Sequence, residues 1–296
     1  MEKETRNTLI VICVILVLMI GAYSGIKAYS GVSPPFTVIN SGSMMHSSDS
    51  RIGIIDTGDM IVVKDPDTID IHTYVDGEKS GYRKFGEYGD VIVYKKPNQN
   101  IIHRAMLHLE LKSGSTSKVV WYIPSLKDYY NWGMCPTSAS EPSEELKAQC
   151  WNEETCELTI TSANSECHFC LIDVGYAKLK VTINLYNLGH NKAEGYSGYL
   201  TKGDNASTNT RFDQTSGIYD NKLVEDNIIK SVAVFEIPWI GSIKLMVNGN
   251  GSNVPTNSIV YLILSILALI ATVVMMSIIF SYVSRRMEER PDEPSQ

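Results

Sequence analysis

Hydrophobic positions divide the chain into two long apolar segments and a polar region between them. Residues 9–26 and 259–283 contain no charged side chain. At a helical rise of about 1.5 Å per residue, the first segment approaches the roughly 30 Å thickness of a bilayer's hydrocarbon core and the second exceeds it. The pattern therefore predicts transmembrane helices over 9–26 and 259–283.

Between these segments the pattern favours β-strands. Short runs rich in β-branched and aromatic residues are bounded by Gly, Pro, Asn and Asp, and no run shows a long helical period. We therefore predict a mainly β fold, with an antiparallel sheet domain flanked by N- and C-terminal transmembrane helices. The predicted strands are 60–64, 91–95, 101–111, 119–123, 179–185, 196–201 and 229–235.

Basic residues flank the apolar segments on the sides toward the chain termini. Because cytoplasmic flanks are enriched in Lys and Arg, we expect 1–8 and 284–296 in the cytoplasm and 27–258 outside the cell membrane. Residues 9–26 could instead be a cleaved secretory signal, since small residues follow near Ala28. The flanking residues are Lys3, Arg6, Arg285, Arg286 and Arg290.

Residues 113–176 differ from their surroundings because they contain most of the cysteines and few clear strands. We interpret this segment as an insertion that divides the β domain into 27–112 and 177–258. Disulfides are the default for extracellular cysteines, and five cysteines allow two bridges with one left over. The spacing of Cys167 and Cys170 also suits a structural metal, and free thiols are the third possibility. The five are Cys135, Cys150, Cys156, Cys167 and Cys170.

The charge balance argues against nucleic acid as a partner. The chain has a formal net charge of −7. It shows no basic stripe with interleaved aromatic residues, which a nucleic-acid-binding surface would need. We therefore expect no nucleic-acid partner.

The run Ser41-Gly42-Ser43-Met44 follows the first apolar segment closely. Ser and Gly crowd together in ordinary surface turns. A compact turn just outside a bilayer could also present the Ser43 hydroxyl as a nucleophile. Serine is a poor nucleophile alone, so a base must lie within hydrogen-bond reach and a third group usually orients that base.

Among six histidines, His103 has the most distinctive setting, early in an apolar strand directly after a predicted hairpin. Alternation puts Ile101, His103 and Ala105 on one face of that strand. A satisfied structural histidine is the alternative. Two carboxylates, Asp204 and Asp213, flank a loop at a strand end. Either could orient the imidazole, although a calcium loop or a plain turn fits as well.

Six short motifs follow one another along the chain: Ser41-Gly42-Ser43-Met44, Gly58-Asp59, Gly89-Asp90-Val91-Ile92-Val93, Ile102-His103-Arg104, Thr201-Lys202-Gly203-Asp204-Asn205 and Pro238-Trp239-Ile240-Gly241. In this order they resemble the type I signal peptidases, specifically the archaeal and endoplasmic-reticulum branch that uses histidine as base. The resemblance covers roughly 8–112 and 176–247.

The resemblance implies a membrane-bound serine endopeptidase that removes signal peptides from exported preproteins without a metal or organic cofactor. Ser43 would be the nucleophile, His103 the general base and Asp213 the orienting acid. Asp204 would support them, and Ser41 would help the Ser43 N–H form an oxyanion hole. The implied partners are preproteins, with small side chains flanking the cleavage point, and the lipid bilayer. The protein-export machinery is a further candidate partner.

Three features depart from the family pattern. Met45-His46 stands where many members have an acidic residue and proline, and 47–55 looks inserted. The separation of Asp204 and Asp213 exceeds the common spacing, which leaves the orienting acid open. The cysteine-containing segment has no counterpart. A non-catalytic, membrane-anchored peptide-binding or secretion-accessory protein is the main alternative, and a surface receptor centred on the cysteine segment is another.

Overall fold

A computed structural model of the protein describes residues 3–97 and 99–288. Arg290 and Asn98, which belong to the predicted cytoplasmic flank and hairpin, lie outside these residues. The helices are α1 Lys3–Ser30, α2 Tyr74–Ser80, α3 Glu144–Cys150, α4 Leu185–Gly189, α5 Gly241–Val247 and α6 Thr256–Glu288. The strands are β1 Phe36–Val38, β2 Met60–Lys64, β3 Arg83–Lys84, β4 Glu87–Tyr88, β5 Val91–Lys96, β6 Gln99–Gly114, β7 Lys118–Tyr122, β8 Trp132–Cys135, β9 Trp151–Asn152, β10 Glu157–Thr161, β11 His168–Val174, β12 Leu179–Ile183, β13 Ser197–Lys202 and β14 Ile229–Ile237.

Most strands of the described residues form one antiparallel sheet. Its order is β1-β2-β14-β5-β6-β7-β10-β9, and β13 pairs with β6 beside this path. The 16-residue strand β6 is central because it pairs with β5, β7 and β13. The prediction of a mainly antiparallel β fold is confirmed.

One predicted strand ends earlier than its apolar pattern suggests. Strand β12 stops at Ile183, and Leu185 begins α4. The Asn184 side chain accepts a hydrogen bond from the Asn187 N–H and caps the helix. Asparagine often caps the first turn of a helix in this way, so a helix can begin within a run of residues that favour strand.

The expectation of few strands in 113–176 is wrong. Strands β7, β10 and β9 continue the main sheet, while β8 and β11 pair with β12 in a three-stranded sheet. The largest apolar cluster joins both sheets, and its members Leu107, Trp121 and Phe169 are fully buried. Five strands and a helix therefore lie within the cysteine-containing segment.

The two terminal helices are long and apolar enough to cross a membrane. The candidate spans are Thr8–Ser30 and Thr256–Val283, each with a mean hydropathy of 2.8 and only 6% of its apolar window buried in the protein. Helices α1 and α6 contact each other. The prediction of one apolar helix near each terminus is confirmed.

Helix α1 is joined directly to the sheet. The Ser30 hydroxyl donates to the Val63 carbonyl at 2.6 Å, and the Asp65 N–H donates to the Ser30 carbonyl at 2.8 Å. These bonds link the end of the apolar helix to β2. The chain then enters β1, which leads to the Ser41-Gly42-Ser43-Met44 turn.

Candidate functional site

The 41–44 turn follows β1 and presents two hydroxyl groups. Met44 is 1% exposed and packs in an apolar cluster with Ile39 and Val91. This anchor holds the turn against the sheet while Ser43 remains half-buried and Ser41 exposed. The Ser43 and Ser41 Oγ atoms lie 3.4 Å apart.

Asn205 holds this turn from the loop that follows β13. Its backbone N–H donates to the Ser43 carbonyl at 2.9 Å, and its Nδ2 donates to the Gly42 carbonyl at 2.7 Å. A Cβ on Gly203 would lie 2.5 Å from the Ser43 carbonyl oxygen, so only glycine permits this approach. Sequence reasoning missed this role, although Asn205 stands beside Asp204 in a motif it had singled out.

His103 and Asp213 form a buried hydrogen-bonded pair. His103 Nδ1 lies 2.7 Å from Asp213 Oδ2, and the residues are 2% and 0% exposed. The same carboxylate oxygen accepts from Tyr94 Oη at 2.8 Å and Thr201 Oγ1 at 2.7 Å. Burial acts to raise the Asp213 pKa, but His103 and the two hydroxyl donors hold that pKa below its usual range.

The other imidazole nitrogen of His103, Nε2, has no hydrogen-bond partner among the described residues. It is not one of the fully buried polar atoms without a partner, although the His103 side chain as a whole is only 3% exposed. The strand alternates as predicted, because Ile101 and Ala105 share one apolar cluster and Ile102 packs in another. With Nδ1 held by Asp213, Nε2 is the atom free to exchange a proton.

Asp204 pairs with Arg104 instead of the histidine. Arg104 Nε donates to Asp204 Oδ1 at 2.9 Å, and Nη2 donates to Oδ2 at 2.5 Å. The fully buried guanidinium also donates to the Gly89 carbonyl at 2.7 Å. Burial opposes ionisation of Asp204, but Arg104 and His46 bring its pKa well below the usual range. Asp213, which lies farther along the chain, is therefore the acid in contact with the imidazole.

Ser43 and His103 form no hydrogen bond with each other in the described part of the chain. The one hydrogen bond that Ser43 Oγ makes there is with Ser41. Strand β13, which leads to Asn205, pairs Lys202 with Arg104, the residue after His103. The serine turn is thus held by the same loop that borders the histidine strand. The Ser43 N–H has no hydrogen-bond partner within the described chain.

Lys202 is a second buried base that sequence reasoning missed. It is 3% exposed, and its Nζ donates to the Gly203 carbonyl at 2.8 Å. Burial lowers the pKa of its amine, while the neighbouring Asp204 and Asp213 act in the opposite direction. A strand-end lysine usually extends into solvent, so the sequence offered only its position beside Asp204 as a signal.

A polar cleft adjoins the 41–44 turn. It has a volume of about 580 Å³ and is lined by residues that include His46, Tyr176 and Asn205. The His46 and Tyr176 rings lie 4.5 Å apart between centroids, and His46 Nε2 is 3.8 Å from Asp204 Oδ2. His46 therefore forms part of one wall of this cleft.

Three buried carboxylates hold the loop that follows the turn. Asp56 accepts from the Arg51 N–H at 2.5 Å, and Glu236 accepts from the Gly53 N–H at 2.6 Å. Asp59 accepts from the Asp56 N–H at 2.8 Å, as expected for a Gly-Asp turn. Burial raises the pKa of Asp56 to about 6 and those of Asp59 and Glu236 to about 7.

We expect this loop to make the folded protein less stable as pH rises. A carboxyl group whose pKa is raised by folding contributes stability while protonated, and that contribution is lost as pH rises through the folded-state value. The melting temperature should fall by roughly 2–8 °C between pH 5 and pH 8. Glu236→Gln should flatten the dependence, whereas Asp49→Asn, at an exposed carboxylate of the same loop, should not. An unchanged slope in Glu236→Gln would contradict the assignment.

The site draws on four separated parts of the chain: the 41–44 turn, β6, the loop after β13, and the helical turn Asp213–Thr215. Among the described residues, no group of three or more His, Cys, Asp or Glu side chains is placed to hold a metal ion. Comparison of the chain with protein-family models, curated proteins and solved structures finds no match. What the site can do therefore follows from its geometry.

Proposed function

We propose that the protein is a membrane-bound serine endopeptidase of the signal peptidase type, which cleaves signal peptides from exported preproteins. The observation that carries this proposal is the buried His103–Asp213 pair, whose Nε2 has no hydrogen-bond partner among the described residues and whose strand borders the loop that holds the serine turn. A histidine held through Nδ1 by an ionised carboxylate is the arrangement that activates serine in hydrolases on unrelated folds.

The proposed reaction begins with attack by Ser43 Oγ on a peptide carbonyl while His103 Nε2 accepts the hydroxyl proton. Asp213 holds the Nδ1–H and stabilises the imidazolium that forms. The Ser43 N–H and the Ser41 hydroxyl donate to the oxyanion. His103 then protonates the leaving amine, and water activated by the same nitrogen hydrolyses the acyl-enzyme.

Proton transfer requires Ser43 and His103 to approach each other. Catalytic hydrogen bonds are often long or misaligned without substrate and tighten in the complex. Within the described chain, Ser43 Oγ is bonded only to the exposed Ser41 hydroxyl. A side-chain rotation of Ser43 therefore breaks one weak contact. The same separation favours the second candidate, a non-catalytic peptide-binding or secretion-accessory protein.

Strand β1 offers an edge to which an extended substrate can add. It is the terminal strand of the sheet order and leads into the serine turn. Both backbone groups of Ile39 are hydrogen-bonded to the segment that enters β2: its N–H donates to the Asp59 carbonyl, and its carbonyl accepts from the Gly58 N–H. Along an antiparallel strand, the backbone N–H and carbonyl of successive residues face opposite sides. Val38 therefore directs its N–H and carbonyl away from β2, toward the open edge of the sheet. A cleavage segment that pairs there would lie beside Ser43.

Membrane anchoring suits the same substrate. Because α1 is bonded to β2 through Ser30, the site stays close to the end of an apolar helix. Confinement of enzyme and signal helix to one surface raises their effective concentration. In this proposal both termini are cytoplasmic, the β domain is outside the cell membrane, and the export machinery is a further partner.

The test is incubation of the full-length protein in detergent with a labelled preprotein, followed by mass analysis of the products. We expect cleavage at one position flanked by small side chains. If preprotein is bound but never cleaved, and Ser43→Ala binds it equally well, the peptide-binding alternative is correct.

A further inference from the structure

Two buried thiols in the three-stranded sheet take no part in the proposed chemistry. Cys135 ends β8, and Cys170 lies in β11. The register sets Cys135 opposite His168 and Cys170 opposite Gly133, so the cysteines are diagonal neighbours on one face. Their Sγ atoms lie 2.8 Å apart, and both residues are 0% exposed.

The surroundings of these thiols disfavour their ionisation. Cys170 Sγ donates to the Gly133 carbonyl at 3.3 Å. Burial, followed by the neighbouring Cys135, raises the pKa of the Cys170 thiol well above its usual range. A thiol that resists ionisation reacts slowly with dissolved oxidants, so a bond between the pair would form before the sheet closes around it.

The remaining cysteines do not complete a metal site around the pair. Cys150 and Cys167 belong to the largest apolar cluster, but the described residues contain no group of three or more ligating side chains arranged for a metal. Cys156 bonds to the Glu153 carbonyl at 3.7 Å. Of the cysteine pairings that the sequence left open, the contact therefore favours a bond between Cys135 and Cys170.

We propose that Cys135 and Cys170 form an intramolecular disulfide that cross-links β8 to β11. Each thiol loses its proton, a sulfur–sulfur bond forms, and the two electrons and two protons reduce a disulfide oxidant to two thiols. The inference rests on the extracytoplasmic placement of the β domain in the proposed function, because such an oxidant prevails there.

The cross-link would fasten the strand that leads to the cleft. Strand β11 ends at Val174, two residues before Tyr176. The Tyr176 ring packs against His46 with an angle of 31° between the ring planes, and the Tyr176 hydroxyl accepts from the Ala206 N–H at 3.0 Å. A bridge at Cys170 thus restrains the segment that carries one wall of the cleft.

Peptide mapping of the full-length protein tests this pairing. The protein is extracted and denatured with N-ethylmaleimide present throughout, then digested without reduction. We expect a cross-linked peptide that contains Cys135 and Cys170, with neither residue alkylated. In Cys135→Ser, Cys170 should become alkylated, whereas Cys156→Ser should leave the cross-link intact. Alkylation of both residues in the wild-type protein, or pairing of either with another cysteine, would overturn the inference.

Cleavage of a preprotein by a portion of the same preparation, taken in native detergent solution before denaturation, separates this inference from the proposed function. Active protein with both thiols alkylated contradicts the disulfide alone. Cross-linked protein that cleaves no preprotein supports the disulfide and contradicts only the peptidase proposal. Mapping of the wild-type chain decides the pairing even where a cysteine variant fails to fold.

Discussion

Ser43→Ala is expected to abolish preprotein cleavage, by about 10⁴-fold or more, while the protein remains folded and inserted. The substitution removes the attacking oxygen but little else, because Ser41 is the only residue of the described part of the chain to which Ser43 Oγ bonds. The bonds from Asn205 reach the backbone carbonyls of Gly42 and Ser43 and remain available. Single-turnover cleavage of a labelled preprotein measures the loss.

His103→Ala should cause a comparable loss, and the double variant should be no worse than either single variant. Residues that act as one catalytic unit show this non-additivity. Ser115→Ala, in an exposed turn distant along the chain, serves as the matched serine control. Normal cleavage by Ser43→Ala or His103→Ala would remove the peptidase assignment. Melting curves of each variant distinguish a loss of catalysis from a loss of folding, since His103→Ala also removes a hydrogen-bond partner of buried Asp213.

The sequence predicted those parts of the protein that depend on local pattern. Alternation identified the strand of His103, and charge-free length identified both terminal helices. Gly58 adopts a positive φ of 99°, as a turn glycine can. Each of these features is specified within a few neighbouring residues.

Features that depend on distant contacts could not be predicted in this way. Asn205 bonds to Gly42 across 163 positions of sequence, and no local pattern records that approach. Lys202 is buried although it ends a strand, and the acids that act on its amine include Asp213, eleven positions farther along the chain. The strands of 113–176 are short and stabilised by a core shared with β6. Burial in the folded protein therefore determined structure at positions where the local propensity of the residues was ambiguous.

Asp213→Asn should lower kcat by about 10⁴-fold with a small change in KM. The amide keeps the shape of the side chain, but it can donate to Nδ1 and so favour the histidine tautomer whose Nε2 carries the proton. That tautomer cannot accept the Ser43 proton. The loss should therefore appear in kcat, which steady-state kinetics on a preprotein peptide separates from KM.

Asp204→Asn provides the contrast, because its carboxylate pairs with Arg104 and not with the imidazole. Removing one partner of a buried ion pair leaves the other charge uncompensated, at a cost of roughly 3–5 kcal/mol in folding free energy. We expect Asp204→Asn to lower the melting temperature more than Asp213→Asn and to lower kcat less. The reverse order in kcat would exchange the two roles, and the activating acid would then have to reach His103 through a rearrangement of the Arg104 pair.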